Sequence, residues 1–546
     1  MSMHYQSKLF LSGPSSESDP AKMVDWRRLA KVAGGVVGVV VGVVALLLGV
    51  ALLRALILED FDYQEKDIDP GARDELPESY LKGLPAVMAR ALAIPTVSFS
   101  PGNYDVDELL RFHEFLRESF PNVFNSSIIE VEVVNKLSLL LTVKGAQDDF
   151  MPYLLMGHMD VVPVDKEKWT HDPWGGLIMP DPSTGESYIW GRGAIDNKVA
   201  VIGIMSALEY LARTGFQPER TFYVAFGHDE EVRGKDGAGH MGRLLQERGV
   251  KLDFILDEGL PVMKDMIQGM DRPVAAIGVT EKGWLSMDLE VEGPAGHSSM
   301  PPLVSAVTRL SRALVALADN PHPSMFGSGP ESDMLAYLAP KASWPHKLVF
   351  ANLWLFKPIL EMVLSSKRET NALMRTTTCA TIVRAGVKEN VVPSFARATI
   401  NHRIHPSQSI KEVIQHDRKV INDPMVKITN LDGTEAHPVS PYGPEVAPWR
   451  LLSASIHHHF PEAITVPGLL VGNTDTKHYL KLTSRVYRFN PVSLRTSEIS
   501  MYHGHNEKIS VSSFTTAVSF YHHLILAADI QVAPLKSSPG HKAGEL

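Results

Sequence analysis

The sequence predicts an α/β core with a second, α+β domain inserted into it. Three observations carry that prediction. Short apolar runs at Tyr153–Met156, Thr221–Phe226 and Leu252–Leu256 read as buried strands, and the helix-like stretches Val199–Arg213 and Gly237–Arg248 separate them. Acidic and imidazole side chains follow the strand-like runs: His158 and Asp160, then Glu230 and Glu231, then Asp257 and Glu258, with Asp196 just before a helix. In an open α/β sheet the carboxyl ends of strands are where distant sequence positions share one site. Finally, the pattern changes near residue 280 and returns to apolar, Gly-containing segments near Ile464–Val471, which an insertion over 282–432 explains better than a tandem domain.

The chain has 546 residues and a net charge of -9, so several folded parts are expected and no nucleic-acid partner is. Its one cysteine, Cys379, excludes an intrachain disulfide and a thiolate metal cluster. From the N-terminus, residues 1–31 read as a tail on the cytoplasmic side. Val32–Leu53 is an uncharged run of Val, Leu, Ala and Gly, long enough to cross a bilayer as a helix. Lys22, Arg27, Arg28 and Lys31 precede it and six acidic residues from Glu59 to Asp69 follow it, so the basic flank predicts a cytoplasmic N-terminus. The alternative is a cleaved signal peptide, for which the leader and the apolar run are both long. The rest would face the lumen or the outside, with which the sequon Asn125-Ser126-Ser127 agrees.

Residues 54–75, acidic with Pro70 and Gly71, read as a stalk. The core then occupies 76–281 and 433–531, with a C-terminal tail at 532–546. Within it, Tyr80–Leu92 and Val106–Phe120 read as helices, and Ile128–Val143 as strand-forming. Trp284–Val291, opening the insert, reads as an exposed strand.

Imidazole nitrogen and carboxylate oxygen together suit zinc, and a carboxylate can bridge a pair of such ions. Neighbouring residues on an extended segment point in different directions, so Glu230 and Glu231 should divide their duties, one as a ligand and one moving a proton. Asp160, two residues after His158, is placed to hold that imidazole through its other nitrogen. In His503-Gly504-His505-Asn506-Glu507 either imidazole could complete the set.

Four segments, Gly157-His158-Met159-Asp160, Gly191–Lys198, Gly227–Glu231 and Asp257-Glu258-Gly259, together resemble the co-catalytic zinc metallopeptidases that include glutamate carboxypeptidase, aminoacylase and vacuolar carboxypeptidase S. The resemblance spans most of residues 80–530 and implies a mixed-sheet di-zinc hydrolase core with an inserted α+β lid or dimerisation domain. It implies two Zn2+ ions held by His158, Asp196, Glu231, Asp257 and His503, with His158 and Asp257 on one ion, Glu231 and His503 on the other, and Asp196 bridging. It selects His503 over His505, makes Glu230 the general base and Asp160 the residue that orients His158.

Gly293–Ser299 resembles the family's lid motif, which implies that His297 donates to the oxyanion, in its own chain or in a second copy within a homodimer. Arg403, in Asn401–Pro406, and Asn371 are candidates for a substrate carboxylate, and Asn473 and Thr474 for a pocket loop; each also has a structural reading as an ion pair or turn. Tyr153–Met156, Phe326–Gly329, Trp354–Phe356, Arg375–Thr378 and His503–Ser510 narrow the resemblance to enzymes that reversibly join fatty acids and amino acids into N-acyl amino acids. Trp344, Phe350, Trp354, Leu355 and Phe356 are then candidates for acyl contact or ordinary core. The alternatives are a membrane-anchored metallocarboxypeptidase or dipeptidase, and a non-catalytic binding protein on the same fold.

Overall fold

A computed structural model describes residues 26–58, 75–181, 185–267 and 270–530. The expected N-terminal tail up to residue 25, most of the stalk and the C-terminal tail from 531 lie outside the described residues. Two compact units result. The first contains one helix, Trp26–Ile57, which encloses the apolar run expected from the sequence. Over Lys31–Ile57, 27 residues with mean hydropathy 3.1, it is long and apolar enough to cross a membrane, at about 40 Å for its 1.5 Å rise per residue.

The second unit is built on an eight-stranded mixed sheet. Across it the strands run Ile464–Leu470, Val274–Glu281, Val486–Leu494, Ile255–Met263, Tyr153–His158, Phe222–Gly227, Ser138–Val143 and Ile129–Val134. The three strands expected from the apolar runs are adjacent and parallel, with Tyr153–His158 in the middle and buried at every position. Burial on both faces is why they read as continuous apolar runs rather than alternating ones. One face is covered by helix Lys198–Arg213, almost wholly buried, and by Val511–Ile530 packed against it. Ile128–Val143 resolves into an antiparallel hairpin turned at Asn135 and Lys136, both with positive φ. Asn125 of the sequon is exposed.

Residues 283–434 carry a separate antiparallel sheet, ordered Thr377–Ala385, Phe395–Ile404, Gly283–Glu292 and Val426–Thr434. Gly283–Glu292 is not an exposed strand: it pairs on both sides and is buried at most positions. Alternation in its sequence reflects a sheet with one covered face, where helices Ala306–Asp319 and Ile410–Ile421 bury Leu285, Met287, Leu289 and Val291 in a small core of their own. Helix Pro330–Leu338 of this segment packs instead on the edge strand Ile464–Leu470 of the large sheet.

Candidate metal centre

The large sheet delivers the site residues from four places. His158 ends a central strand; Glu230 and Glu231 open the short turn that follows Phe222–Gly227. Asp196 lies in the loop before helix Lys198–Arg213, whose first turn is capped by Asn197 through the Ala200 amide. His503 comes from a turn near the C-terminus, with φ of 54°. Glu507 holds the last two loops together. Buried, it accepts from the amides of Gly193, Ile195 and Asp196 and from Arg192, whose other guanidinium nitrogen bonds the Gly504 carbonyl.

These elements converge on one point. Nε2 of His158 is 3.1 Å from Oδ1 of Asp196, and the other oxygen of that carboxylate is 3.1 Å from Nε2 of His503. His503 is also 3.0 Å from Oε2 of Glu231. A single carboxylate therefore spans two imidazoles, the arrangement a bridging ligand between two cations requires. His503, not His505, occupies this position.

The structure adds detail to two sequence-based expectations. Asp160 orients His158 through its backbone carbonyl, 3.0 Å from Nδ1, while its carboxylate accepts from the amides of Glu230 and Glu231 at 3.1 and 3.2 Å. Asp160 thus fixes the imidazole and the two glutamates together. Asp257 stands beside this cluster, close enough to feel the His158 charge, with Oδ2 buried and without a hydrogen-bond partner. Its Oδ1 accepts from the Glu258 amide at 2.8 Å, and it is Glu258 whose Oε2 stands 3.3 Å from Nε2 of His158. The cause is a register shift: the strand runs on to Met263, and between the pairs Arg488–Asp257 and Phe489–Leu260 extra residues are accommodated. Such a bulge re-aims a side chain. Gly259 allows it, since a Cβ there would lie 2.5 Å from the Arg488 backbone.

The electrostatics fit a cation. His158, Glu230 and Glu258 offer ligand atoms within 4.8 Å of one another, as do His158, Asp196 and Glu231. Burial pushes Glu231 up to about 7 and Glu258 up to about 8. Burial, reinforced by the Glu258 charge, holds Glu230 well above the usual carboxylate range. His503, bonded to Asp196 and Glu231, rises to about 10. Oε1 of Glu231 is buried with no hydrogen-bond partner. Several buried carboxylates that cannot all be charged together, two imidazoles among them and an oxygen left unpaired, are the donor set for divalent ions.

The remaining candidates lie apart from this cluster. His297 is exposed, with Nδ1 2.7 Å from the Ser299 hydroxyl. Arg403 donates to Oδ1 of Asn473 at 2.8 Å, and the Asn473 amide donates to the Lys282 carbonyl. Thr474 is buried against Glu281, to which both its hydroxyl and its amide donate. Asn371 is half-buried in helix Arg368–Met374, whose end is tied down by the Lys282 ammonium. Glu258 and Glu507 are what sequence reasoning passed over; the signal for Glu258 was a second carboxylate followed by glycine in a strand, where a bulge can exchange neighbouring side chains.

A mixed sheet with a sheet-bearing insert, and a buried imidazole–carboxylate cluster at its strand ends, define a metal-dependent hydrolase. The chain matches Peptidase family M20/M25/M40 over residues 154–527 and belongs to that family. It is 42% identical over 460 residues to the N-fatty-acyl-amino acid synthase/hydrolase of Xenopus tropicalis, covering 84% of this chain and 88% of that one. The human protein of that description is 37% identical over 496 residues, with 89% and 97% covered. Among solved structures, a carboxypeptidase of Sulfolobus solfataricus matches with a TM-score of 0.58 at 17% identity, covering 83% of this chain and 100% of that one. Human carnosine dipeptidase 1 matches at 0.54 and 15%, covering 83% and 96%. These two likenesses concern the fold.

Proposed function

We propose that the protein is a zinc-dependent amidohydrolase that reversibly hydrolyses and condenses N-fatty-acyl amino acids. The observation that carries this reading is a complete imidazole–carboxylate cluster in a chain 42% identical, over 84% of its length, to an enzyme named for that reaction. His158 would hold one ion, with Asp257 or its neighbour Glu258 completing the set, and Glu231 with His503 the other, with Asp196 shared. Bound there, the ions supply Lewis-acid polarisation of the amide carbonyl and make water more acidic.

The chain's own residues do the rest. Glu230 takes a proton from the attacking water as the O–C bond forms, and returns it to the amino-acid nitrogen as the C–N bond breaks. Its buried surroundings, which favour the protonated form, suit the second half of that exchange. Asp160 keeps Glu230 and His158 in register through the two amides and the carbonyl described above. His297 donates to the oxyanion, reaching it by movement of the insert or from a second copy in a homodimer. Condensation follows the same steps backwards, with mass action setting the direction.

The insert offers apolar surface for an acyl chain. Trp344 is 50% exposed, and helix Leu353–Ser365 leaves Trp354, Ile359, Met362 and Val363 exposed, whereas Phe350 is core. The helix Trp26–Ile57 is proposed to anchor the protein with its second unit on the luminal or outer face, near a source of fatty acids.

Glu230→Gln should keep its metal while turnover falls on the order of 100-fold or more; normal turnover by the metal-loaded variant would reject the role. Substrate class is tested by side-by-side rates on N-oleoyl-phenylalanine and a blocked dipeptide. The lipidated amide is expected to be preferred. The rival exopeptidase reading, for which Arg403 beside Asn473 could accept a terminal carboxylate, requires the reverse.

A further inference from the structure

The insert contains a second imidazole–carboxylate cluster, remote in sequence from the strand-end residues above. His322 follows helix Ala306–Asp319, His402 lies on strand Phe395–Ile404, and Asp417 lies on helix Ile410–Ile421. All three are buried, at 1%, 0% and 0% exposure, and their ligand atoms lie within 4.8 Å of one another. Nε2 of His402 is 2.9 Å from Oδ2 of Asp417, and Nε2 of His322 is 3.5 Å from Oδ1.

Those separations look at first like a hydrogen-bonded His–Asp–His triad. The directions do not agree with it. Nε2 of both rings and both oxygens of Asp417 are buried with no hydrogen-bond partner, so at 2.9 Å the ring N–H direction still misses the oxygen. Four buried polar atoms left unpaired would cost about 1–3 kcal/mol each, and more for the carboxylate. A cation held between the two rings and the carboxylate would relieve that cost. Tetrahedral ligands about 2.0–2.1 Å from zinc lie roughly 3.3 Å apart, a spacing bracketed by the observed 2.9 and 3.5 Å.

The far sides of both rings are held in place. A ligating imidazole donates its other N–H to an acceptor, which fixes tautomer and orientation. The Thr378 hydroxyl, 3.1 Å from Nδ1 of His402, meets this for one ring; Nδ1 of His322 lies 3.3 Å from the Gln408 amide nitrogen, and the oxygen of that side chain takes the Thr376 hydroxyl. His416 stacks on His322 with ring centroids 4.0 Å apart and is itself held by the Asn320 carbonyl, which leaves His322 little freedom to turn.

We propose that His322, His402 and Asp417 bind a structural zinc ion that pins a loop, a strand and a helix of the insert together. Two imidazoles and one carboxylate in a dry site select a zinc-like borderline ion over calcium or magnesium, which want more oxygen ligands. The proposal is independent of the catalytic reading, and the test separates them.

Full-length protein in detergent is stripped with chelator, equilibrated with Zn2+, and its bound zinc is counted by plasma mass spectrometry. His402→Gln and Asp417→Asn should each carry one zinc equivalent fewer than the native chain. A variant with both His158→Ala and His503→Ala should retain one equivalent, and with Co2+ in its place should show the visible absorption of a low-coordinate site. Adding His402→Gln to that variant should abolish both signals. Equal zinc in the native chain and His402→Gln, or no ion in the folded double-alanine variant, would overturn the proposal. If His402→Gln fails to fold, the double-alanine protein decides alone.

Discussion

The sharpest consequence at the level of residues concerns two neighbours. Asp257 is buried and Glu258 half-buried; Oε2 of Glu258 stands 3.3 Å from Nε2 of His158, and Asp257 spends one oxygen on the Glu258 amide. Glu258→Gln should therefore weaken metal binding directly, while Asp257→Asn, which can still accept from that amide, should act through the position of Glu258. Expected losses of metal affinity are about 100-fold or more for the first and about 10-fold for the second, measured by competition with a fluorescent chelator. The opposite ranking would return the ligand role to Asp257. Asp160→Asn provides a second check. Its carbonyl would still hold His158, but its side chain could offer only one oxygen to the amides of Glu230 and Glu231, so kcat should fall about 10- to 100-fold with metal content preserved.

Elements show why part of the site was legible and part was not. Buried parallel strands leave continuous apolar runs, and the polar residues just after them are visible, so the neighbourhood of His158, Glu230 and Glu231 could be read directly while their roles came from the family resemblance. The bulge at 257–260 leaves only Gly259 as a mark, because extra residues within a strand otherwise do not change its composition. Nor does the sequence reveal that Trp284–Val291 is central, since a sheet with one covered face alternates like an exposed strand. His297 illustrates a further limit: a motif names a residue, but the placement of its element decides what that residue touches. The same sheet yields a stability test. Glu281, at the end of Val274–Glu281, is buried and accepts from Arg488, Thr474 and Thr476. Against the cost of burial, the Arg488 charge beside it lowers it from 4.5 to about 2. A depressed carboxylate stabilises fully above its unfolded pKa, and that contribution, about 3 kcal/mol, is lost as pH falls from about 4.5 to about 2. Denaturant unfolding of the native chain should therefore weaken across that window. Glu281→Gln should be less stable at pH 7 and should lack this component of the decline; an identical decline in both proteins would show that Glu281 is not the titrating group.

For the whole molecule, the two units impose different demands on one chain. The helix Trp26–Ile57 exposes Val37, Val41, Leu48 and Leu53, which water tolerates poorly and a bilayer favours, whereas the second unit buries its apolar residues in cores of its own. Charge decides the orientation. Basic residues before the apolar run and acidic ones after it predict a cytoplasmic N-terminus, which would put the second unit in the lumen. Translation of the full chain with microsomes separates the outcomes. An anchored, luminal protein should stay with the membrane after alkaline carbonate washing, lose only its short N-terminal tail to added protease, and gain one glycan that Asn125→Gln removes. A signal peptide would instead yield a shortened chain released by carbonate, and an inverted anchor would leave the second unit open to protease and unglycosylated. Exposure of Asn125 on the folded unit makes the glycan a sterically permitted reporter. Exchange of Lys22, Arg27, Arg28 and Lys31 for acidic residues should raise the inverted fraction, because the proposed cytoplasmic N-terminus rests on those four charges.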